Sequence, residues 1–278
     1  MKKIWVASGG IVAAALIYFL FIPVFSGRMI LDPGIHLSNF ALRYYGIFIG
    51  LAVLCGHLVA RHNAWRFGLS KEEVDRISFW TIIAAVLSAR MYFVLFEFSY
   101  FSAHPREIIK IWNGGLSIYG ALLGGLGFIL FWCRNKIYSV KQVLDLAALA
   151  LPLGQAIGRL GNFFNYEAYG TATNLPWRMF IPFEYRLDQA QAYYHPVFLY
   201  EALANLLIFA ILMFLRGKVK SGQLALVYLL SYSVLRFAME FLRLDSVWVS
   251  GFRADQAVSV VVFLGALSIL ISAKRARK

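Results

Sequence analysis

Charge is what this sequence has least of. Only 15% of its 278 residues are charged, while 60% are hydrophobic; a soluble domain carries about 25% charged residues. The deficit excludes an ordinary globule that covers itself with polar side chains in water. Cysteine is scarce as well. Cys55 and Cys133 are the only two, both inside apolar runs, which excludes a disulfide framework and a cysteine-built metal site. Low-complexity stretches and internal repeats are missing. No basic cluster is interleaved with aromatics, so the net charge of +13 does not describe a nucleic-acid-binding face. The basic residues sit mostly in short loops between apolar runs, the pattern of membrane topology and of contact with anionic lipid.

The abundant feature is the long apolar run. About 20 apolar residues span a bilayer core, and eight such spans are expected, at 4–25, 40–60, 77–98, 115–133, 142–160, 197–215, 223–242 and 255–273. The predicted fold class is therefore an all-α, polytopic membrane helix bundle. The first span carries no charge between Trp5 and Phe25 and follows Met1-Lys2-Lys3. Its length favours an uncleaved anchor over a signal peptide, whose apolar core is shorter. Residues 1–39 are read as that anchor helix and an outer loop, and 40–278 as the main transmembrane domain. Within it, 161–196, with Pro176, Pro182 and Pro196, reads as an ordered outer loop or partial lid.

Loop charge gives an orientation. With the N-terminus in the cytoplasm, 16 of the 27 basic residues fall in inside segments and 8 in outside ones. That two-to-one bias puts both termini in the cytoplasm. Gly120 and Gly124, and likewise Gly154 and Gly158, are spaced to put small residues on one helix face, where a neighbouring helix can approach closely.

Arg90, Arg159 and Arg236 remain inside the spans. Each costs roughly 2.5–3.5 kcal/mol at a helix centre, so each must be paired, hydrated or lining a site. At about 1.5 Å of rise per residue, all three fall in the outer half of a core about 30 Å thick. Tyr45 and Tyr119 reach a similar depth from spans running the other way. Guanidinium groups offer planar forks to phosphate oxygens and stay charged at any working pH. Arg236, Glu240 and Arg243, spaced i, i+4, i+7, share one helical face. The expectation is a polar pocket for an anionic phospholipid head group, open toward the outer leaflet. The bland alternative is structural pairing, such as Arg236 with Glu240 one turn on.

The densest run of polar chemistry is Gly158-Arg159-Leu160-Gly161-Asn162-Phe163-Phe164-Asn165-Tyr166-Glu167-Ala168-Tyr169-Gly170. It resembles the signature of the bacterial phosphatidylglycerol–prolipoprotein diacylglyceryl transferases. Other segments agree in order: Arg43-Tyr44-Tyr45-Gly46, Ser88-Ala89-Arg90, Trp112-Asn113-Gly114-Gly115, His195-Pro196 followed by Tyr200-Glu201, and Arg236 through Glu240 to Arg243. The resemblance covers about 40–260 and leaves the first span outside.

The resemblance implies seven family-like transmembrane helices, with the leading span as an extra one. It implies transfer of a diacylglyceryl group from phosphatidylglycerol to the lipobox cysteine at the end of a prolipoprotein signal peptide. A thioether forms and glycerol phosphate leaves, with no metal and no cofactor. The setting is the bacterial cytoplasmic (inner) membrane, with the site toward the outer leaflet. Residue by residue, Arg159 and Asn162 hold the head group, with Asn165, Glu167 and Gly170 in the same run. Arg236 contacts the phosphate and stabilises the leaving group, Glu240 and Arg243 orient that cluster, and Tyr45 and Arg90 line the lipid pocket.

One position departs from the family pattern. Many members have a histidine after the Gly-Gly pair, with a role in catalysis; here Tyr119 stands in its place. A tyrosine, with an unperturbed pKa near 10, is a poor base at neutral pH. Either Tyr119 orients the substrate or another group takes the thiol proton, with His195 as an alternative. The thiol can also ionise directly beside arginines. A lipid or organic-anion carrier is the competing class, but charges in the inner half of the spans, expected along such a route, are nearly absent. Tyr119 also leaves open a catalytically altered relative.

Overall fold

The computed structural model describes residues 17–37, 40–249 and 251–275. Seven long helices dominate them: α1 (Tyr44–Asn63), α2 (Lys71–Phe96), α3 (Ile118–Trp132), α4 (Val140–Asn165), α5 (Val197–Leu215), α6 (Gln223–Glu240) and α7 (Ala254–Arg275). Six of these stretches, all except α6, are long and apolar enough to cross a membrane. In α6, Gln223, Arg236 and Glu240 fall within 18 residues and lower its apolarity. The chain is a multi-pass helical membrane protein. Seven of the eight expected spans coincide with α1–α7. The first lies mostly outside the described residues; its last part forms a turn of π-helix, Ile17–Phe21, that runs into a short helix at Ile22–Phe25.

The all-α class holds, with the helices joined by three small antiparallel hairpins. They are β1 (Gly34–Leu37) with β2 (Phe40–Arg43), β3 (Met179–Phe180) with β4 (Tyr193–Tyr194), and β5 (Trp248–Val249) with β6 (Phe252–Arg253). Strands of two to four residues are too short to show an alternating pattern.

Helix starts follow local chemistry. The Ser70 hydroxyl accepts the Glu73 N–H at 3.1 Å, and Glu72 and Glu73 place negative charge on the first turn of α2. At the start of α4, Ser139 Oγ accepts the Gln142 N–H while Gln142 Oε1 accepts the Ser139 N–H at 2.6 Å. That is a reciprocal capping box.

The chain forms two compact units, one of residues 1–55, 151–214 and 226–278, the other of 56–150 and 215–225. The first unit has an aromatic core of Val24, Phe163, Tyr166, Tyr169, Met179, Ile181, Tyr194 and Phe198. Phe21 stacks on Phe163 with ring centroids 4.6 Å apart. The described end of the first span is therefore packed onto the end of α4. The 161–196 segment contributes six of those eight residues: Phe163, Tyr166, Tyr169, Met179, Ile181 and Tyr194. On α4, Gly161 makes the tightest approach to α1: a Cβ there would lie 2.9 Å from Tyr45 Cδ2. At Gly154 and Gly158 the nearest atoms are 3.3 and 3.6 Å away.

In the second unit, α2 and α3 meet backbone to backbone, as the Gly120–Gly124 spacing predicts. A Cβ on Gly120 would lie 2.5 Å from the Ser88 carbonyl, and one on Gly124 would overlap the Ser88 side chain. Asp145, 2% exposed, accepts the Gly222 N–H at 2.5 Å and the Ala225 N–H at 2.8 Å. It thereby satisfies two donors at the start of α6 that have no intrahelical partner. Asp145→Ala leaves both unpaired and is expected to cost about 1–3 kcal/mol, read as a lower thermal midpoint of the purified protein.

Candidate functional site

The first unit gathers the charged side chains of α4, α5, α6 and α7 around one carboxylate. Glu201, on α5, is 3% exposed. Its Oε2 pairs with Arg159 Nη2, and its Oε1 lies 3.3 Å from Arg236 Nη1 and 3.5 Å from Arg243 Nη1. Arg236 has two further anionic neighbours on Nη2: Glu240 Oε2 at 3.2 Å and Asp255 Oδ2. Arg243 also grips Asp245, through Nε at 2.9 Å and Nη2 at 2.6 Å. Arg159, Arg236 and Arg243 thus meet Glu201, Glu240, Asp245 and Asp255, three cations against four anions. The pairing of Arg236 with Glu240 is present, but as one contact in this larger network.

Two sequence-based assignments change. Glu201, which the sequence presents only within the Tyr200-Glu201 pair, is the hub. The signal lay in the sequence: Glu201 is the one acidic residue in the 19 residues of α5. The membrane-cost argument applied to the arginines applies equally to it. Arg90 changes in the other direction. Its guanidinium, in the second unit, donates to the carbonyls of Glu107, Ile108, Gly114 and Gly115 at 2.6–2.9 Å. Arg90 therefore clamps a loop, including the turn where Gly114 and Gly115 have φ of 90° and 73°. The third guanidinium on Glu201 is Arg243.

Past the end of α4 the signature run folds back on itself. Tyr166 and Ala168 both lie in the left-handed region, at φ 53° and 54°. For residues with a Cβ this stores about 1–3 kcal/mol each and is typical of functional turns. The turn aims Glu167 at two amides: Asn165 Nδ2 is 3.3 Å from Oε1, and Asn162 Nδ2 is 3.5 Å from Oε2. Tyr166, buried beneath, accepts the Leu31 N–H at 2.7 Å; burial pushes its hydroxyl above the ordinary tyrosine range, so it stays neutral. Beside this turn lies a cavity of about 700 Å³ lined by Asp32, His36, Arg43, Asn165, Glu167 and Glu184, among others. The arginine cluster is not part of that lining.

Gly170 serves through its backbone. Its N–H donates to the His195 carbonyl at 2.8 Å, the next N–H, of Thr171, donates to the Leu242 carbonyl at 2.8 Å, and Gly170 bridges to Arg243. A Cβ would lie 2.6 Å from Val197 Cγ2 and 2.7 Å from Leu242 O. Only glycine lets the signature strap reach the residue before Arg243. Gly170→Ala is expected to shift Arg243 and to cut activity more than it lowers the thermal midpoint, a comparison of assay and melt that checks the assignment. His195 Nδ1 is 3.2 Å from the Tyr200 hydroxyl, which accepts from Trp177 Nε1 at 2.7 Å. Tyr45 opens α1, its ring edge facing Gly161. Tyr119, in the first turn of α3, belongs to the second unit and is 44% exposed.

Fold and site together define a membrane-embedded helical protein with a guanidinium–carboxylate cluster suited to a phosphate ester. Residues 34–272 match the family model for prolipoprotein diacylglyceryl transferase. The chain belongs to that family. It is 43% identical over 257 residues to a phosphatidylglycerol–prolipoprotein diacylglyceryl transferase of Fervidobacterium nodosum, an alignment covering 90% of this chain and 88% of the relative. A protein of the same name from Thermotoga petrophila is 40% identical over 98% of this chain and 96% of its own. One from Gloeobacter violaceus is 43% identical over 86% and 92%. The Thermotoga alignment runs into the first hydrophobic span. The family match itself begins at residue 34 and leaves that span outside, as expected.

Proposed function

We propose that this protein transfers the diacylglyceryl group of phosphatidylglycerol to the thiol of the lipobox cysteine of a prolipoprotein signal peptide. The sulfur forms a bond to the glyceryl carbon as the carbon–oxygen bond to phosphate breaks. The electron pair leaves with glycerol phosphate, and the thiol proton is lost. The family and the names of its relatives support this reading. The structural observation that carries it is the gathering of Arg159, Arg236 and Arg243 on Glu201.

A phosphate ester gains negative charge as it becomes a leaving group. Fixed donors aimed at that charge stabilise the transition state more than the ground state. Arg236 takes the phosphate, while Arg159 and Asn162 hold the head group. Glu167 keeps Asn162 and Asn165 in register, and Glu240 and Arg243 hold Arg236 and Glu201 in place. Tyr45 lines the lipid pocket. His195 supports the strap from Thr171 to Tyr200. The loop-charge bias favours the bacterial inner membrane with the site toward its outer leaflet, the face where prolipoprotein cysteines are presented.

The test is direct. The purified protein in proteoliposomes containing labelled phosphatidylglycerol, given a lipobox peptide, should yield a thioether-linked diacylglyceryl peptide by mass spectrometry. Folded protein that gives no such product rejects the proposal. Tyr119→His should leave turnover comparable; a large gain would mean that the natural tyrosine disables the chemistry.

A further inference from the structure

Before a lipid arrives, the arginines of the cluster already hold carboxylate partners. Three guanidinium groups meet four carboxylates, and Arg236 touches three of them. Nη2 of Arg236 faces both Glu240 and Asp255, so a phosphate oxygen that takes this nitrogen displaces one of the carboxylates. They differ in how easily they can yield. The side chains of Glu201 and Glu240 are 4% and 0% exposed. Glu201 is held by two other arginines, and Glu240 is enclosed next to Arg236 on the same helix. Moving either one strands a charge in a water-poor interior. Asp255 is 30% exposed. It also stands in the first turn of α7, where a carboxylate remains favoured by the helix dipole whether or not it holds an arginine. Arg236 itself is 17% exposed, so the Asp255 contact is its outermost.

From this arrangement we propose that Asp255 is an internal stand-in for the phosphate ester. It occupies Arg236 Nη2 in the empty site and swings away when the lipid phosphate binds. The inference rests on the reading that Arg236 takes the lipid phosphate. The exchange conserves charge. One monoanionic phosphodiester enters, one carboxylate moves to its helix terminus, and the net charge around Arg236 does not change. A carboxylate and a phosphodiester both offer a pair of oxygens to a guanidinium fork, so either fits the same donors. The consequence is kinetic. Asp255 competes with the substrate, and it competes equally with the glycerol phosphate product, whose release it therefore speeds.

The experiment compares the natural protein with Asp255→Asn and Asp255→Glu in zwitterionic nanodiscs free of phosphatidylglycerol, titrated calorimetrically with glycerol phosphate. Apparent affinity is reduced by the fraction of time the binder is occupied. Occupancy by Asp255 for about nine-tenths of the time predicts about tenfold tighter binding once it is neutralised. Asp255→Asn should bind glycerol phosphate tighter by that factor, and Asp255→Glu should stay near the natural value. In the transfer assay Asp255→Asn should show a lower KM for phosphatidylglycerol, stronger inhibition by glycerol phosphate, and no gain in kcat. Equal or weaker binding by a folded Asp255→Asn protein, or no binding by either, overturns the inference.

A structure of the natural protein with glycerol phosphate decides the matter independently of any variant. Asp255 withdrawn from Arg236 supports the exchange, and Asp255 still paired beside a bound phosphate refutes it. Tighter binding by Asp255→Asn without transfer by any of the proteins upholds the exchange and rejects the transferase reading. Transfer without tighter binding does the reverse.

Discussion

Arg236→Ala is expected to remove lipid transfer to below detection and to lower the stability of the protein at the same time. Loss of one preorganised donor at a developing charge typically costs about 10²–10³ in turnover. Arg236 holds two roles at once, because its guanidinium also serves Glu201, Glu240 and Asp255. Glu240 is fully enclosed, and neither of its carboxylate oxygens accepts a hydrogen bond. Without Arg236 its charge is stranded, and breaking a buried pair from one side costs about 3–5 kcal/mol. Arg236→Lys separates the two effects. An ammonium keeps the charge but not the planar fork that faces Glu201 on one nitrogen and Glu240 with Asp255 on the other. Much of the thermal midpoint should return while turnover stays at least a hundredfold down. If Arg236→Lys transfers at the natural rate, the fork is not what the reaction uses.

The second large effect is expected at Glu201. Glu201→Ala removes the common partner of three arginines, and the strain falls on the guanidinium groups. Three cations without their hub repel one another in a low-dielectric setting, and the expected loss is again about 3–5 kcal/mol. Glu201→Gln keeps the size but points an amide N–H₂ at donors that need an acceptor, so it should recover little. An added phosphate anion can replace part of the missing charge. Millimolar phosphate should therefore raise the thermal midpoint of Glu201→Gln more than that of the natural protein. A variant that melts normally and ignores phosphate would mean that Glu201 is not the hub.

Much of this architecture can be read from hydrophobicity alone. The run at 197–215 becomes a helix with those same limits, because an uninterrupted apolar stretch leaves little choice of boundary. The Gly120–Gly124 spacing leads correctly to a backbone-close helix pair. What sequence reading could not supply was direction. Counting rise along each helix gives depth but says nothing about which way a side chain faces. Arg90 and Arg236 fall at similar depth by that count, yet Arg90 turns to four loop carbonyls and Arg243 takes its place on Glu201. The turn at Tyr166 and Ala168 was also hidden, since neither residue type announces a left-handed backbone. Glu201 is legible by the same cost that singles out the arginines, since it is the one acidic residue in the apolar run of α5.

The strap through Gly170 carries a consequence for assembly of the chain. Its hydrogen bonds reach His195 ahead of α5 and Leu242 after α6, and the fourth partner of the cluster, Asp255, is not made until α7 begins. A ribosome has therefore released most of the polypeptide before the last anion can join the arginines. Insertion of the early helices must proceed with Arg159 unsatisfied by anything downstream. A chain cut short ahead of residue 255 lacks one of the three carboxylates that hold Arg236.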